Sequence, residues 1–316
     1  MTKICVTGGA GFIGSHLAEK LLNLGHNVIV IDNLKTGKRE NIEKFLKNKK
    51  FEFVKGSILD DKKLDKVMKD VDFVFHEAAK IDIGESVKNP INIYNTNALG
   101  TLNVLNFSVK NEIKKIIFAS SCAVYGDKKI PVKESTPTNP QNPYAISKIV
   151  AESLIKDFHE NYGIETVILR YFNIYGPKQS IEMKYAGVIP TFITRALKNK
   201  NLLIYGDGKQ TRDFTFVKDV VDANILAMKN KKVNEKIFNI GFGKDVSINE
   251  LAEKIIKLTN SDSKIIHKKS RIFDIKHSKA NISLAKKLLR YKPKYDIKWG
   301  LKETINWFEK WFNEKI

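Results

Sequence analysis

Tyr144 and Lys148 stand four residues apart in the stretch NPQNPYAISKIVAE, residues 139–152. A phenol with an ammonium beside it is equipped to take a proton from a hydroxyl and return it. The reference pKa of a phenol is about 10, so work near neutrality requires a fall of roughly three units, or about 4 kcal/mol. A neighbouring positive charge gives stabilisation of that kind. Spacing alone does not single the pair out, because Tyr125/Lys129 and Tyr205/Lys209 repeat it. Context does. Asn142 suits a helix N-cap and Pro143 the first helical position, which puts Tyr144 in a first turn and Lys148 one turn on, on the same face. The other two pairs run through YGDKK and YGDGK, turns in which no regular helix holds the two side chains. Ser121 ends the apolar run KKIIFASS (114–121). Strand C-termini of an open parallel sheet face the ligand crevice, so the Ser121 hydroxyl is placed to bridge a substrate hydroxyl and the phenol.

A second group of residues suits a dinucleotide. The stretch GGAGFIG carries Gly8, Gly11 and Gly14 after a first apolar run, KICVTG (3–8), and before an amphipathic stretch at 12–24. Glycines there allow a tight turn, close approach of the backbone to a pyrophosphate and close helix–strand packing. The helix N-terminus adds N–H donors and a favourable dipole for that anion. Asp32 ends the second apolar run, NVIVID (27–32), where a carboxylate holds the adenosine ribose hydroxyls. A carboxylate there repels a 2′-phosphate, which favours NAD over NADP.

These residues need a frame, and the pattern indicates one. Apolar runs at 3–8, 27–32, 51–56, 71–79, 114–121 and 165–173 alternate with helical patterns at 12–24, 60–70, 91–111 and 143–162. Continuous apolar strands alternating with helices predict a parallel sheet covered on both faces. After residue 173 the runs shorten to 202–206, 213–220 and 236–241, and 284–314 reads as helical apart from 291–297. The expected class is α/β: a Rossmann-type doubly wound parallel sheet over 1–172 and a smaller mixed α/β substrate domain over 173–316, with about 213–240 packing back on the first. The 91–111 and 143–162 helices carry apolar faces that could exceed what one core needs.

Composition excludes other classes. The formal charge is +20, but only six of the 55 basic residues are Arg, the residue that base readout and bidentate phosphate contacts favour. The Lys are scattered, so no nucleic-acid partner is expected. No 18-residue apolar run appears and the N-terminus lacks a signal-peptide pattern, so a cytoplasmic protein with no membrane partner is expected. Two Cys, Cys5 and Cys122, make no framework, and six dispersed His make no metal site; His76 is expected to pack beside the cofactor and Cys122 to be a small buried hydrophobe.

The motifs VTGGAGFIG (6–14), DN (32–33), HEAA (76–79), SSCAVYG (120–126), PYAISK (143–148), RYFNIYGP (170–177), YGDGKQTRDFTFVKDV (205–220) and FNIG (238–241) together resemble the NAD-dependent nucleotide-sugar epimerase/dehydratase family, extended short-chain dehydrogenases/reductases. Within it the likeness is to UDP-glucose/UDP-galactose 4-epimerases. The resemblance runs nearly end to end. In this family helices placed like those at 91–111 and 143–162 pair across a homodimer, so the resemblance implies one. It implies catalytic roles for Ser121, Tyr144 and Lys148. It implies NAD contacts from Gly8, Gly11, Phe12, Ile13, Gly14, Asp32, Asn33, Ser57, Ile58, Ala78, Ala79 and Asn97, with Tyr144 and Lys148 at the nicotinamide ribose. It implies UDP-sugar contacts from Ser121, Tyr144, Asn173, Val188, Tyr205, Arg212, Arg271, Asp274 and Ser278. Dehydratases and decarboxylases of this kind carry an acid after the shuttle Ser/Thr, where this chain has Cys122. The implied reaction is C4 epimerisation of UDP-Glc/UDP-Gal, and, with the small Ser278 at the pocket wall, of UDP-GlcNAc/UDP-GalNAc. A uronic-acid epimerase, another oxidoreductase of the family, or a non-catalytic binding regulator are the alternatives.

Overall fold

The computed structural model describes residues 2–180, 187–270 and 275–314. The chain begins β1 (Lys3–Thr7), α1 (Phe12–Asn23), β2 (Asn27–Asp32), β3 (Phe51–Lys55), α2 (Asp61–Met68) and β4 (Phe73–His76). It continues through α3 (Ile83–Lys88), α4 (Pro90–Tyr94), α5 (Gly100–Lys110), β5 (Lys115–Ser121), α6 (Pro143–Tyr162) and β6 (Glu165–Tyr171). Beyond lie β7 (Ile174–Tyr175), α7 (Val188–Leu197), β8 (Leu202–Tyr205), β9 (Thr211–Arg212), β10 (Thr215–Phe216), α8 (Val217–Lys229) and β11 (Lys236–Ile240). The last elements are β12 (Val246–Ser247), α9 (Ile248–Leu258), β13 (Ile265–Lys268), β14 (His277–Ser278) and α10 (Ile297–Asn313).

Seven parallel strands form one sheet in the order β11-β6-β5-β4-β1-β2-β3. The order reverses between β1 and β4, and a crevice opens there at the strand C-termini. Apolar side chains fill both faces, which is why these runs show no polar alternation. One face packs α1 and α8, with Leu17, Val30, Phe75 and Val220 buried. The other packs α2, α5 and α6 around Ile29, Val74, Ile116 and Ile155. A third core of Phe192, Phe216, Leu251 and Phe308 unites α7, α9 and α10 with the short strands after β6. No helix of the described residues is long and apolar enough to cross a membrane.

The run 213–220 is not one strand. Only Thr215–Phe216 is extended, and α8 starts at Val217. Nine of the thirteen α8 residues, among them Val217, Val220, Val221, Asn224, Ile225 and Met228, are buried between α1 and the sheet, so the helix shows no one-sided apolar pattern. The expected helix at 91–111 is also interrupted. α4 and α5 are separated by a π-helical turn over Asn95–Leu99. A Cβ on Gly100 would lie 2.4 Å from Ile58 Cδ1, so the helix passes against the β3–α2 loop there. The wide turn places Thr96 and Asn97 beside the crevice, the common setting of such bulges.

Candidate active site and cofactor cleft

The crevice is lined by Gly8, Gly11, Phe12, Ile13 and Gly14 from the first turn, and by Asp32 and Asn33 from the end of β2. Ser57 and Ile58 follow β3, and Ala78 and Ala79 follow β4, on the same surface. The glycine positions are sterically required. Gly8 has φ +69°, and a Cβ on it would lie 2.8 Å from the Ala78 backbone; one on Gly14 would lie 2.4 Å from the Gly8 carbonyl. The Asp32 carboxylate is almost wholly buried and accepts from the Ala10 and Leu34 amides at 3.0 and 2.8 Å. It therefore fastens the glycine loop to β2. Burial raises its pKa, and the backbone N–H donors oppose that rise.

Asn97 does its work one step back. Its amide accepts from the Lys80 N–H at 2.8 Å and donates to the Lys80 carbonyl and to Ser147 Oγ, each at 2.9 Å. It clamps the segment after β4 to α6 and does not line the cleft, whose wall there is Thr96. His76 likewise does not line the cleft. Its ring bridges Thr7 Oγ1 at 2.7 Å and Thr101 Oγ1 at 3.0 Å inside the core. Burial, and then the charge of Lys148, push its pKa down to about 3, so it is neutral.

Tyr144 and Lys148 sit on α6 as the caps predict: Asn142 Oδ1 accepts from the Ala145 amide at 2.9 Å and Pro143 opens the helix. The Tyr144 hydroxyl is hydrogen-bonded to Ser121, the last residue of β5. Lys148 Nζ donates to the Ala119 carbonyl at 2.7 Å. Burial pushes Tyr144 up to about 12 and Lys148 down to about 8. Burial, not the neighbouring ammonium, dominates the Tyr144 phenol here. The ammonium is spent on a carbonyl and the phenol is dry. The rest of the stabilising charge has to arrive with the cofactor.

Below this pair α6 is pinned to the sheet. Glu152, one turn past Lys148, takes Arg170 Nε at 2.9 Å, Arg170 Nη2 at 2.6 Å and Ser120 Oγ at 2.5 Å, all buried. The other Tyr/Lys pairs are elsewhere: Tyr125 is core, donating to Asn239 Oδ1 at 2.6 Å, and Tyr205 ends β8.

On the substrate side, Asn173 turns the chain after β6 at φ +38°, a left-handed geometry that asparagine tolerates, and its amide donates to the Asp213 carbonyl at 3.0 Å. β14 pairs with β9, setting Ser278 opposite Arg212. Cys122, beside Ser121, is hydrogen-bonded to Ser278 and to the Asn173 backbone and feels the charge of Arg212; burial raises the thiol's pKa. Three sequence-distant substrate candidates, Asn173, Arg212 and Ser278, thus converge on Cys122, next to Ser121. Val188 opens α7 and Tyr205 ends β8. Arg271 and Asp274 lie outside the described residues.

The chain is matched over residues 4–241 by the model of the NAD dependent epimerase/dehydratase family. It belongs to that family. NAD is its cofactor, and the glycine cradle and Asp32 fit it. A putative UDP-glucose 4-epimerase of Methanocaldococcus jannaschii is 45% identical over 97% of this chain and 98% of its own. A UDP-N-acetyl-alpha-D-glucosaminuronate decarboxylase of Bacillus cytotoxicus is 40% identical over 99% and 100%. Among solved structures, a UDP-N-acetylglucosamine 4-epimerase of Methanobrevibacter ruminantium M1, in complex with UDP-N-acetylmuramic acid, superposes with a TM-score of 0.93 at 40% identity, covering 98% of this chain and 99% of that one. The protein is an enzyme of the UDP-sugar epimerase/dehydratase kind.

Sequence reasoning missed several cleft residues. Glu77, Lys178 and Gln179 line the cofactor crevice. Glu77 had a visible signal, an acid directly after the apolar run of β4. Lys178 had none, since its position depends on the carbonyl of Asn41, 137 residues away, which accepts from Nζ at 3.1 Å.

Proposed function

We propose that this enzyme interconverts C4 epimers of UDP-hexoses, UDP-Glc with UDP-Gal and UDP-GlcNAc with UDP-GalNAc, through a transient 4-keto sugar. The observation that carries the reading is the Ser121–Tyr144 hydroxyl pair with Cys122, not a carboxylic acid, next to it. NAD, when bound, supplies the acceptor and donor for the C4 hydrogen together with a positive ring beside the phenol. Tyr144 takes the proton of the C4 hydroxyl through Ser121 and later gives it back. Lys148 and the Ala119 carbonyl fix the cofactor-side geometry. Arg212 and Asn173 hold the diphosphate, so the flat keto sugar turns over without leaving. Ser278 leaves room at the sugar C2 substituent. Cys122, its thiol pKa raised by burial, holds its proton near neutrality and is a poor acid, which disfavours elimination at the same sugar.

Similarity to a decarboxylase over the whole chain supports a second reading, oxidation and decarboxylation of a UDP-uronate. One experiment separates the two. The protein is incubated without added NAD with UDP-Glc, UDP-GlcNAc and UDP-glucuronate, and products are resolved by C4 configuration and carbon dioxide release. Epimers of the first two support the proposal; carbon dioxide from the third, with no epimers, overturns it. The proposal includes a homodimer. Val87 (63% exposed) and Ile91 (71%) on α3 and α4, and Ile146 and Val150 on α6, are exposed apolar side chains on three helices that contact one another.

A further inference from the structure

Glu77 is a half-buried acid whose role in the cleft is separate from the shuttle. Its main chain abuts the phosphate loop: a Cβ on Gly8 would sit 3.1 Å from the Glu77 carbonyl carbon. Its side chain crosses the end of β5 to the last residue of β6, where the Tyr171 hydroxyl donates to Oε1 at 2.8 Å. Asn224 Nδ2, from α8, donates to the same hydroxyl oxygen at 2.7 Å, so the Tyr171 proton is committed to Glu77. The carboxyl is also near enough to Lys148, on α6, for each to feel the other's charge. Asp32 marks the adenosine end of the cleft, whereas Tyr144 and Lys148 mark the nicotinamide end. Glu77 therefore stands between the phosphate loop and the reacting end. The titratable groups facing it are Lys148 and Tyr171; neighbouring His76 is turned away and neutral.

We propose that the Glu77 carboxylate makes the cleft prefer oxidised to reduced NAD, and so drives the hydrogen borrowed from the sugar back onto it. The oxidised nicotinamide is a cation and the reduced one is neutral. Oxidation of the sugar would pass two electrons and one hydrogen nucleus from its C4 to the nicotinamide as hydride, while the hydroxyl proton leaves through Ser121 to Tyr144; the return step reverses both, and no outside oxidant is needed. A fixed negative charge at that end stabilises the cation alone, in surroundings of low dielectric where the effect is large. Lys148 and the cation would otherwise repel each other across a dry site, and Glu77 offsets that repulsion. A reduced cofactor stranded by loss of the keto sugar would inactivate the enzyme, and this charge bias works against stranding.

The inference rests on NAD dependence and not on which UDP-sugar is turned over, so its test uses no sugar. Dissociation constants for NAD+ and NADH are measured on cofactor-stripped protein, wild type and Glu77→Gln, at pH 8. The amide keeps the acceptor for Tyr171 and removes the charge. The ratio Kd(NADH)/Kd(NAD+) is expected to fall by roughly tenfold or more in the variant. Burial raises the Glu77 carboxyl to about 7, so in wild type the ratio falls as pH drops through that value. Lys148, at about 8, acts in the same direction, and the dependence left in Glu77→Gln belongs to it. A ratio unchanged within about twofold, or both cofactors weakened equally, overturns the proposal. Should Glu77→Gln not fold, Glu77→Asp and Tyr171→Phe decide. Asp keeps the charge and the ratio. Phe removes the donor that favours the carboxylate, so the pH at which the ratio falls moves up. The opposite results in these two overturn it.

Discussion

The Glu152–Arg170 pin beneath α6 sets a quantity that can be worked from the structure. Glu152 and Arg170 are each 4% exposed and share two hydrogen bonds, at 2.9 and 2.6 Å, with Ser120 as the third partner. Glu152→Ala leaves the guanidinium buried with the Glu134 carbonyl at 3.4 Å and the Tyr125 ring, 4.8 Å from its carbon, as its remaining partners. Neither replaces a carboxylate. Breaking one side of such a buried pair costs about 3–5 kcal/mol, far more than the roughly 0–1 kcal/mol of an exposed pair. Replacing both partners by apolar side chains, Glu152→Leu with Arg170→Met, removes the orphaned charge and should recover most of that loss. Urea unfolding of wild type, both single variants and the double variant measures the cycle. Turnover should fall in the single variants too, because Glu152 lies one turn past Lys148 and Ser120 adjoins Ser121. A Glu152→Ala loss below about 1 kcal/mol, or a double variant no more stable than that single one, would refute the reasoning.

Four further outcomes are expected. Tyr144→Phe should lower turnover at least about 100-fold, as for loss of a general base, with NAD still bound; near-wild-type rates would remove the phenol from the mechanism. Asp32→Ala should weaken NAD binding and relax discrimination against NADP, since it deletes a ribose acceptor and a negative charge and frees the Ala10 amide; titration of both cofactors checks it. Ser278→Tyr should suppress turnover of N-acetylated sugars selectively, because overfilling a packed pocket costs roughly 1–3 kcal/mol; equal loss for both sugar pairs would count against a wall at that position. Ile91→Glu should convert the proposed dimer to monomer in sedimentation, and an unchanged mass would remove α4 from the interface.

The parallel sheet, the glycine cradle and the Tyr144/Lys148 helix were legible in the amino-acid sequence because each is encoded within a few neighbouring residues. A run of buried strand residues, a cap with proline behind it, and glycines where no Cβ fits all act over one turn or one strand. What depended on residues far apart was not legible. The 213–220 run reads as a strand until α1 and the sheet are seen to bury α8 on both sides. The turn between α4 and α5 leads into Gly100, where no Cβ fits against Ile58, a neighbour 42 residues away in the chain. The protonation states ran against simple expectation for the same reason: Tyr144 is pushed up because the folded chain dries it, while Lys148 is turned to the Ala119 carbonyl on a neighbouring strand. Glu77 is a plain acid in the HEAA stretch, and only the fold brings it to Tyr171, 94 residues on, and within reach of Lys148. Local sequence specifies which elements form and which side chains are available; desolvation and charge at a site are sums over everything packed around it, so they exist only once the tertiary structure has closed.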